Sequence, residues 1–336
     1  MTTATAPATA APGRARTRVG GGAVPFLRYL GLRLVQAVVA LWGVVTAVFF
    51  CLRLSGDPAQ LLAPQGATRE QIDQLRDTLG LNASTWSQYT SYLGDLVHGD
   101  LGYSFVQRRP AIDVITQRLP YTINLALAAL VLSIVLGVGA GMVMALYRGR
   151  WPERVLTPLV LAGQAMPAFW TGILLILVFS VTFDVFPSTG DTSASSIVLP
   201  AVTLASLSAA TVARVTRAAV LEQLNRDYVR TARSKGVGTW RLVWRHLLRN
   251  IAVPVLTVLA LETANLLGGS VVTELIYAWP GLGQLTVQSV NARDFPVVQA
   301  LVVLAAVVYI LINLVTDLVY GVIDPRIAVT AKGAEA

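Results

Sequence analysis

The sequence predicts an all-α integral membrane protein with six transmembrane helices and a small helical lobe outside the membrane between the first two. Three observations lead there. Of 336 residues, 54% are hydrophobic and 13% charged, where a soluble domain carries about a quarter charged residues; mean hydropathy is +0.62. The apolar residues fall into long blocks instead of at core-face spacing, which is the pattern of membrane spans. Arginine, the source of nearly all the excess in a net charge of +8, collects in alternate connecting segments.

Six blocks can cross a hydrocarbon core of about 30 Å, which takes about 20 residues. They lie near 29–54, 120–147, 155–181, 197–221, 251–277 and 297–322. One side of the membrane receives the N-terminal arginines, the 147–154 turn (Arg148, Arg150, Arg154), the 214–249 segment and Arg326. The other receives residues 55–119, the 182–196 loop with Asp184 and Asp191, and the 278–296 loop. The positive-inside rule makes the first side cytoplasmic, so both termini are expected inside. Residues 1–25, rich in Thr, Ala, Pro and Gly, read as a disordered cytoplasmic tail. A cleaved signal peptide is the rival reading, but the block that follows exceeds the roughly 7–15 residues of a signal core. The expected organisation is a first helix at 26–54, an outer lobe at 55–119, a five-helix core at 120–325 and a cytoplasmic tail at 326–336.

Within the outer region, Thr68 with Gln71 forms a capping box ahead of Ile72, Leu75 and Leu79, and Gly80 ends that helix. Thr85 with Gln88 forms a second, ahead of Trp86, Tyr89, Leu93 and Leu96. A third short helix from Ile112 to Leu119 is expected to lead into Pro120 at the start of the second span.

The cytoplasmic segment 221–250 reads as two helical stretches interrupted by Gly236 and Gly238. The second stretch places Trp240, Val243, Trp244, Leu247, Leu248 and Ile251 on one face and Arg241, Arg245 and Arg249 on another. Tryptophan opposite arginine suits a helix lying in the membrane interface. Spans flank this basic run on both sides, so no nucleic-acid partner is expected; the lipid bilayer is.

Several function classes drop out. Lys235 and Lys332 are the only lysines and neither follows a glycine, so the chain has no Walker A sequence and no catalytic nucleotide site of that kind. His98 and His246 are expected on opposite sides of the membrane, which excludes a shared His-based metal site or a Ser-His-Asp triad. Cys51 is the single cysteine, so no intrachain disulfide forms. A membrane enzyme would need a polar constellation that is not visible, and a non-transporting scaffold is the remaining alternative.

Five stretches, in order, resemble the permease subunits of dipeptide, oligopeptide and nickel ATP-binding-cassette (ABC) importers, over roughly Tyr29 to Ile327. They are Gly99-Asp-Leu-Gly-Tyr-Ser104; Arg214-Val-Thr-Arg217 with Asp227-Tyr-Val-Arg-Thr-Ala-Arg-Ser-Lys-Gly236; Trp279-Pro-Gly-Leu-Gly283; Arg293-Asp-Phe-Pro296; and Asn313-Leu-Val-Thr-Asp317 with Asp324-Pro-Arg326. The second is similar to the EAA loop of these permeases. It departs from the general consensus, with Arg230 at the glutamate position and Thr231 at the first alanine, while Ala232 and Gly236 match. The later proline, Pro254, is similar to the spacing of the peptide subfamily.

The resemblance implies a six-helix ABC importer permease core, a second homologous permease subunit, two ABC ATPase subunits that hold ATP and magnesium, and an extracytoplasmic substrate-binding protein. The chain itself would carry no cofactor and no metal. Small peptides lead as cargo, with nickel chelates and glutathione-like molecules behind. Residues Arg230, Thr231, Ala232, Lys235 and Gly236 would couple to an ATPase, with Gly236 as pivot. Trp279, Pro280, Gly281 and Gly283 read either as an ordinary turn or as an outer gate. The outer lobe is either a spacer or a docking surface for the binding protein.

Two further expectations come from depth in the membrane. Asp317 falls level with Arg214 and Arg217 and would pair with one of them, unless each reaches water or headgroups alone. Glu262 lies near mid-membrane, with Asn265, Gly269 and Thr273 on the same helical face. That polar and small-residue stripe either lines the translocation path or packs closely against a neighbouring helix, with Glu262 protonated.

Overall fold

The computed structural model describes residues 23–54, 59–60, 63, 66–78 and 81–323. Its long helices are α1 (Ala23–Leu54), α4 (Ala111–Leu146), α7 (Val198–Leu224), α10 (Leu248–Ile276) and α12 (Phe295–Ile323). Shorter ones are α2 (Arg69–Thr78), α3 (Thr85–Val97), α5 (Trp151–Ala165), α6 (Ala168–Leu175), α8 (Asp227–Ser234), α9 (Thr239–Leu242) and α11 (Leu282–Asn291). Among the described residues, five helices are long and apolar enough to cross a membrane, and α5 with α6 and its π extension makes a sixth if that bent pair is one span.

The block expected as the third span, 155–181, is not one continuous helix. Its two halves meet at 115°. Proline has no N–H to donate and its ring drives the preceding residue out of the helical region. Met166 before Pro167 accordingly adopts φ −81° and ψ 129°.

Lipid offers no hydrophobic reason for two apolar helices to associate, so close backbone approach has to supply the contact. In α4, Gly137 and Gly141 do this against α7. A Cβ at Gly137 would lie 2.7 Å from Val212 Cβ, and one at Gly141 would lie 2.5 Å from the Ala213 carbonyl oxygen. The Ser133 hydroxyl turns back to the Ala129 carbonyl at 2.8 Å, whereas the buried Thr216 hydroxyl of α7, beside Gly141, has no partner among the described residues. Helix α10 then packs on both α7 and α4, and α12 packs on α10 and α1.

Outside the bundle the first capping box forms as expected. The Thr68 N–H donates to Gln71 Oε1 (2.9 Å) and the Gln71 N–H to Thr68 Oγ1 (3.3 Å). The second is displaced by one residue. Ser84, extended at ψ 147°, is the cap and accepts from the Ser87 N–H. Gln88 instead donates to the Leu81 and Ala83 carbonyls. Helix α3 lies on α1, where Tyr89 packs on Phe49 and its hydroxyl sits 2.7 Å from Thr46 Oγ1.

The separate helix expected at 112–119 does not exist as such. Those residues are the first turns of α4, which runs through Pro120 without ending. A two-stranded hairpin, β1 (Tyr103–Ser104) with β2 (Arg109–Pro110), precedes it and was not expected from the sequence. Of the two expected tails, Ala23–Pro25 begin α1, and residues 1–22 and 324–336, including Asp324-Pro-Arg326, lie outside the described residues.

If the α4–α7 contact depends on absent side chains, Gly141→Val should destabilise the purified protein by about 1–3 kcal/mol through overpacking. Gly139→Ala, two residues away with nothing within 4 Å of the added Cβ, should not. Thermal unfolding in detergent checks this: the first variant melts lower by several degrees, the second does not.

Candidate functional site: two buried carboxylates on one helix

Helix α10 carries two carboxylates in its apolar length, Glu262 and Glu274, about 18 Å apart along the axis at 1.5 Å per residue. Neither is left bare. A charge or polar atom removed from water without a partner is costly, so the partners define what each can do.

Glu262 is 8% exposed and its Oε2 accepts a hydrogen bond from Ser208 Oγ of α7 at 2.7 Å. It lines a cavity of about 300 Å³ at the break between α5 and α6, together with Asn265, Ser206, Leu207, Gln164 and Met166. Of the four residues expected along this face, Glu262 and Asn265 meet at the cavity. Thr273 is fully buried and away from it, its hydroxyl without a partner among the described residues. The side-chain surroundings of Gly269 lie outside the described residues.

Glu274 is fully buried. Its Oε1 accepts from the Thr122 hydroxyl of α4 (2.8 Å), and its Oε2 from the N–H groups of Gly283 (2.7 Å) and Gln284 (3.1 Å). Those two N–H groups belong to the first turn of α11, where helical donors lack intrahelical acceptors and favour an anion. Thr122 Oγ1 also accepts from the Leu282 N–H at 2.8 Å, so one hydroxyl bridges carboxylate and helix start. Gly281 and Gly283 are needed for proximity. A Cβ on Gly281 would run into the Glu274 carboxylate, and one on Gly283 would lie 2.5 Å from Val271 Cα.

The expected gate residues are therefore a compact turn seated on this carboxylate. Trp279 is buried and its indole N–H donates to the Tyr121 carbonyl at 3.1 Å. Just before it, Tyr277 is buried with its hydroxyl 2.8 Å from Thr203 Oγ1 and 3.1 Å from the Gly172 carbonyl. Two other resemblance motifs meet nearby: buried Asp294 accepts from the Ser104 hydroxyl and from the Phe105 N–H. Glu274 was passed over in the sequence. An acid near the end of an otherwise apolar span was the available signal, weaker than the mid-span depth that singles out Glu262.

At the other end of α10, α8 and α9 form a short helical elbow. Val229, Leu242, Val243, Leu247 and Ile251 are buried in one cluster against α7 and the base of α10, with Ala232 packed at its edge. Arg230, Thr231, Lys235 and Gly236 are exposed. Gly236 has φ +76°, in the left-handed region that glycine adopts without penalty. The face expected for the second stretch divides: Val243, Leu247 and Ile251 are buried together with Leu242, while Trp240 and Trp244 are 75% and 59% exposed. A π turn at Val243–Leu247 widens the helix and rotates the register. Arg217 is engaged by Glu153 of α5, its Nε at 3.1 Å from Oε1, while Glu153 Oε2 accepts from the Gly149 N–H at 2.6 Å. Arg214 is exposed, and the side chain of Asp317 lies outside the described residues.

Residues 137–329 match the family described as the binding-protein-dependent transport system inner membrane component, and residues 26–126 match its N-terminal family. The glutathione transport system permease protein GsiC of Escherichia coli (strain K12) is 42% identical over 302 residues, covering 90% of this chain and 99% of that protein. The protein of the same description from Shigella dysenteriae serotype 1 (strain Sd197) matches at the same identity and coverage. Among solved structures, the MetNI methionine ABC transporter in an inward-facing conformation shares the fold, with TM-score 0.54 and 19% identity over 63% of this chain and 97% of that one.

Thr122→Val removes a donor to Glu274 and the acceptor of the Leu282 N–H together. It should cost about 1–3 kcal/mol, the range for leaving buried polar groups unpaired. Hydrogen exchange at amides 282–284 of the detergent-purified protein should accelerate, whereas Thr116→Val, at an exposed hydroxyl bonded only to the Asp113 carbonyl, should leave it unchanged.

Proposed function

This chain belongs to the binding-protein-dependent transport system inner membrane components, and from that premise we propose that it forms part of the translocation path for small peptides in an importer driven by ATP. The observation that carries the reading is the cavity at the α5–α6 break, where a mid-span carboxylate and an exposed asparagine meet inside an apolar bundle. Glutathione-like molecules are cargo of the same chemical kind, and the glutathione permeases among the relatives favour them over nickel chelates.

The machine contains a second homologous permease, two ATPase subunits and an extracytoplasmic binding protein that delivers cargo. ATP and magnesium bind to the ATPase subunits, and this chain hydrolyses nothing. Both termini lie in the cytoplasm, on the side of the α8–α9 elbow, and the Trp279–Gly283 turn is an outer gate. Exposed Arg230, Thr231, Lys235 and Gly236 meet an ATPase surface. The elbow is fixed to the base of α10 through Val229, Leu242 and Leu247. Displacement of the elbow therefore moves the helix that carries Glu262 and, at its far end, Glu274, as a rigid-body change.

Co-expression of this chain with its partner subunits, followed by reconstitution in liposomes, tests the function. ATP-dependent accumulation of trialanine or glutathione is expected, and none is expected when this chain is omitted. Accumulation without it, or hydrolysis with no accumulation of either compound, contradicts the peptide reading.

Gly236 tests the coupling. No atom lies within 4 Å of a Cβ at that position, so Gly236→Trp should insert and fold but lose ATPase association. Gly236→Asn, a residue that tolerates the left-handed region, should retain most of it. Co-purification of the ATPase subunits with each variant is the readout, and normal association of the tryptophan variant rules the contact out.

A further inference from the structure

We propose that the cavity at the α5–α6 break holds the cationic ammonium group of the cargo on the carboxylate of Glu262; this rests on the peptide reading and specifies how the path recognises its load. Glu262 is more than nine-tenths buried, and so is Ser208, its partner. Ser208 satisfies one carboxylate oxygen, Oε2. Among the described residues nothing is bonded to Oε1, on the carboxylate that lines the cavity.

The residues lining that cavity include no arginine, lysine or histidine, so the protein supplies no counter-charge there. A buried carboxylate requires a cation or a proton to be stable. Met166, Leu204 and Leu266 give the cavity apolar walls, which strengthens a charge-assisted hydrogen bond.

The backbone at the break adds acceptors. Helix α5 ends at Ala165, which lines the cavity with Gln164, and the last carbonyls of a helix lack intrahelical donors. The end of a helix carries the negative pole of its dipole, which favours a cation. Helix α6 begins at the same break with the opposite pole, so the two dipoles offset and the Glu262 carboxylate is the group left to attract a cation. Asn265, exposed at the cavity, offers an amide to the peptide group that follows a terminal ammonium.

Three variants of the assembled complex in detergent test this: wild type, Glu262→Gln and Glu262→Asp. The readout is equilibrium binding of radiolabelled trialanine and of N-acetyl-trialanine, without binding protein. Wild type should bind the free-amine peptide roughly tenfold or more tightly than the acetylated one, the scale of a hydrogen bond to a charged group. Glu262→Gln should abolish that preference and leave the acetylated peptide unaffected, and Glu262→Asp should keep part of it. Equal binding of both peptides by wild type, binding of neither, or a preference that survives in Glu262→Gln overturns the proposal. Binding of radiolabelled sodium that vanishes in Glu262→Gln, with no peptide preference, assigns the site to an inorganic cation and also overturns it. Uptake by the same wild-type complex with its binding protein separates the two failures. Intact uptake with no preference sinks only the ammonium site, and absent uptake of trialanine and glutathione sinks the peptide reading beneath it.

Discussion

Glu274 sits fully buried near one end of α10, and its two oxygens are held by the Thr122 hydroxyl and by the N–H groups of Gly283 and Gln284. In water such bonds are worth little net, because water replaces them. In a bilayer nothing else is available, and each unmade bond carries the full desolvation cost. One side chain thus joins α4, α10 and the start of α11, and the glycines at 281 and 283 are the condition for reaching it. The turn at 279–283 owes its shape to that carboxylate, with the Trp279 indole as a second tie to α4.

The rest of the bundle follows the same logic at lower stakes. Helices α4 and α7 meet through Gly137 and Gly141, where backbone replaces side chain. Asp294 and Ser104, 190 residues apart, tie the β-hairpin to the start of α12. At the opposite end the apolar cluster around Leu242 and Leu247 fixes the α8–α9 elbow to α10. Helix α10 is consequently the element shared by the elbow, the cavity and the turn at 279–283. Movement imposed at one end has a stiff route to the other.

Five of the six apolar blocks were legible as long helices because their length stands out in the sequence, and the Thr68–Gln71 cap because its two bonds are local. The elbow at Gly236 was legible for the same reason. The break at Met166–Pro167 was not. Pro120, Pro158 and Pro254 all lie inside continuous helices, so a proline in a span does not announce a break; the extended backbone of Met166 does, and that is tertiary. That the aliphatics of the second elbow helix are buried and its tryptophans exposed was not legible, because a π turn alters the spacing on which periodicity depends. Of the two carboxylates, Glu262 was found from its depth, but the partners of Glu274 lie 152 residues before it and 9 and 10 after it. No local pattern connects them. Arg217 shows the same limit, since its partner Glu153 lies 64 residues away on another helix.

The most direct measurement concerns whether the cavity beside Glu262 belongs to a path that opens to water. Cys51 is the only cysteine, so Cys51→Ser gives a background in which Asn265→Cys is the sole thiol. Labelling of that thiol by a membrane-impermeant maleimide, in the complex reconstituted in liposomes, reports access from each side as nucleotide is added and removed. A translocation path predicts labelling from one side without nucleotide, a change of side or loss of labelling with ATP bound, and protection by cargo. A thiol that no aqueous reagent reaches in any nucleotide state, while a lipid-soluble maleimide labels it throughout, would mean that this face packs against lipid or a neighbouring helix and conducts nothing.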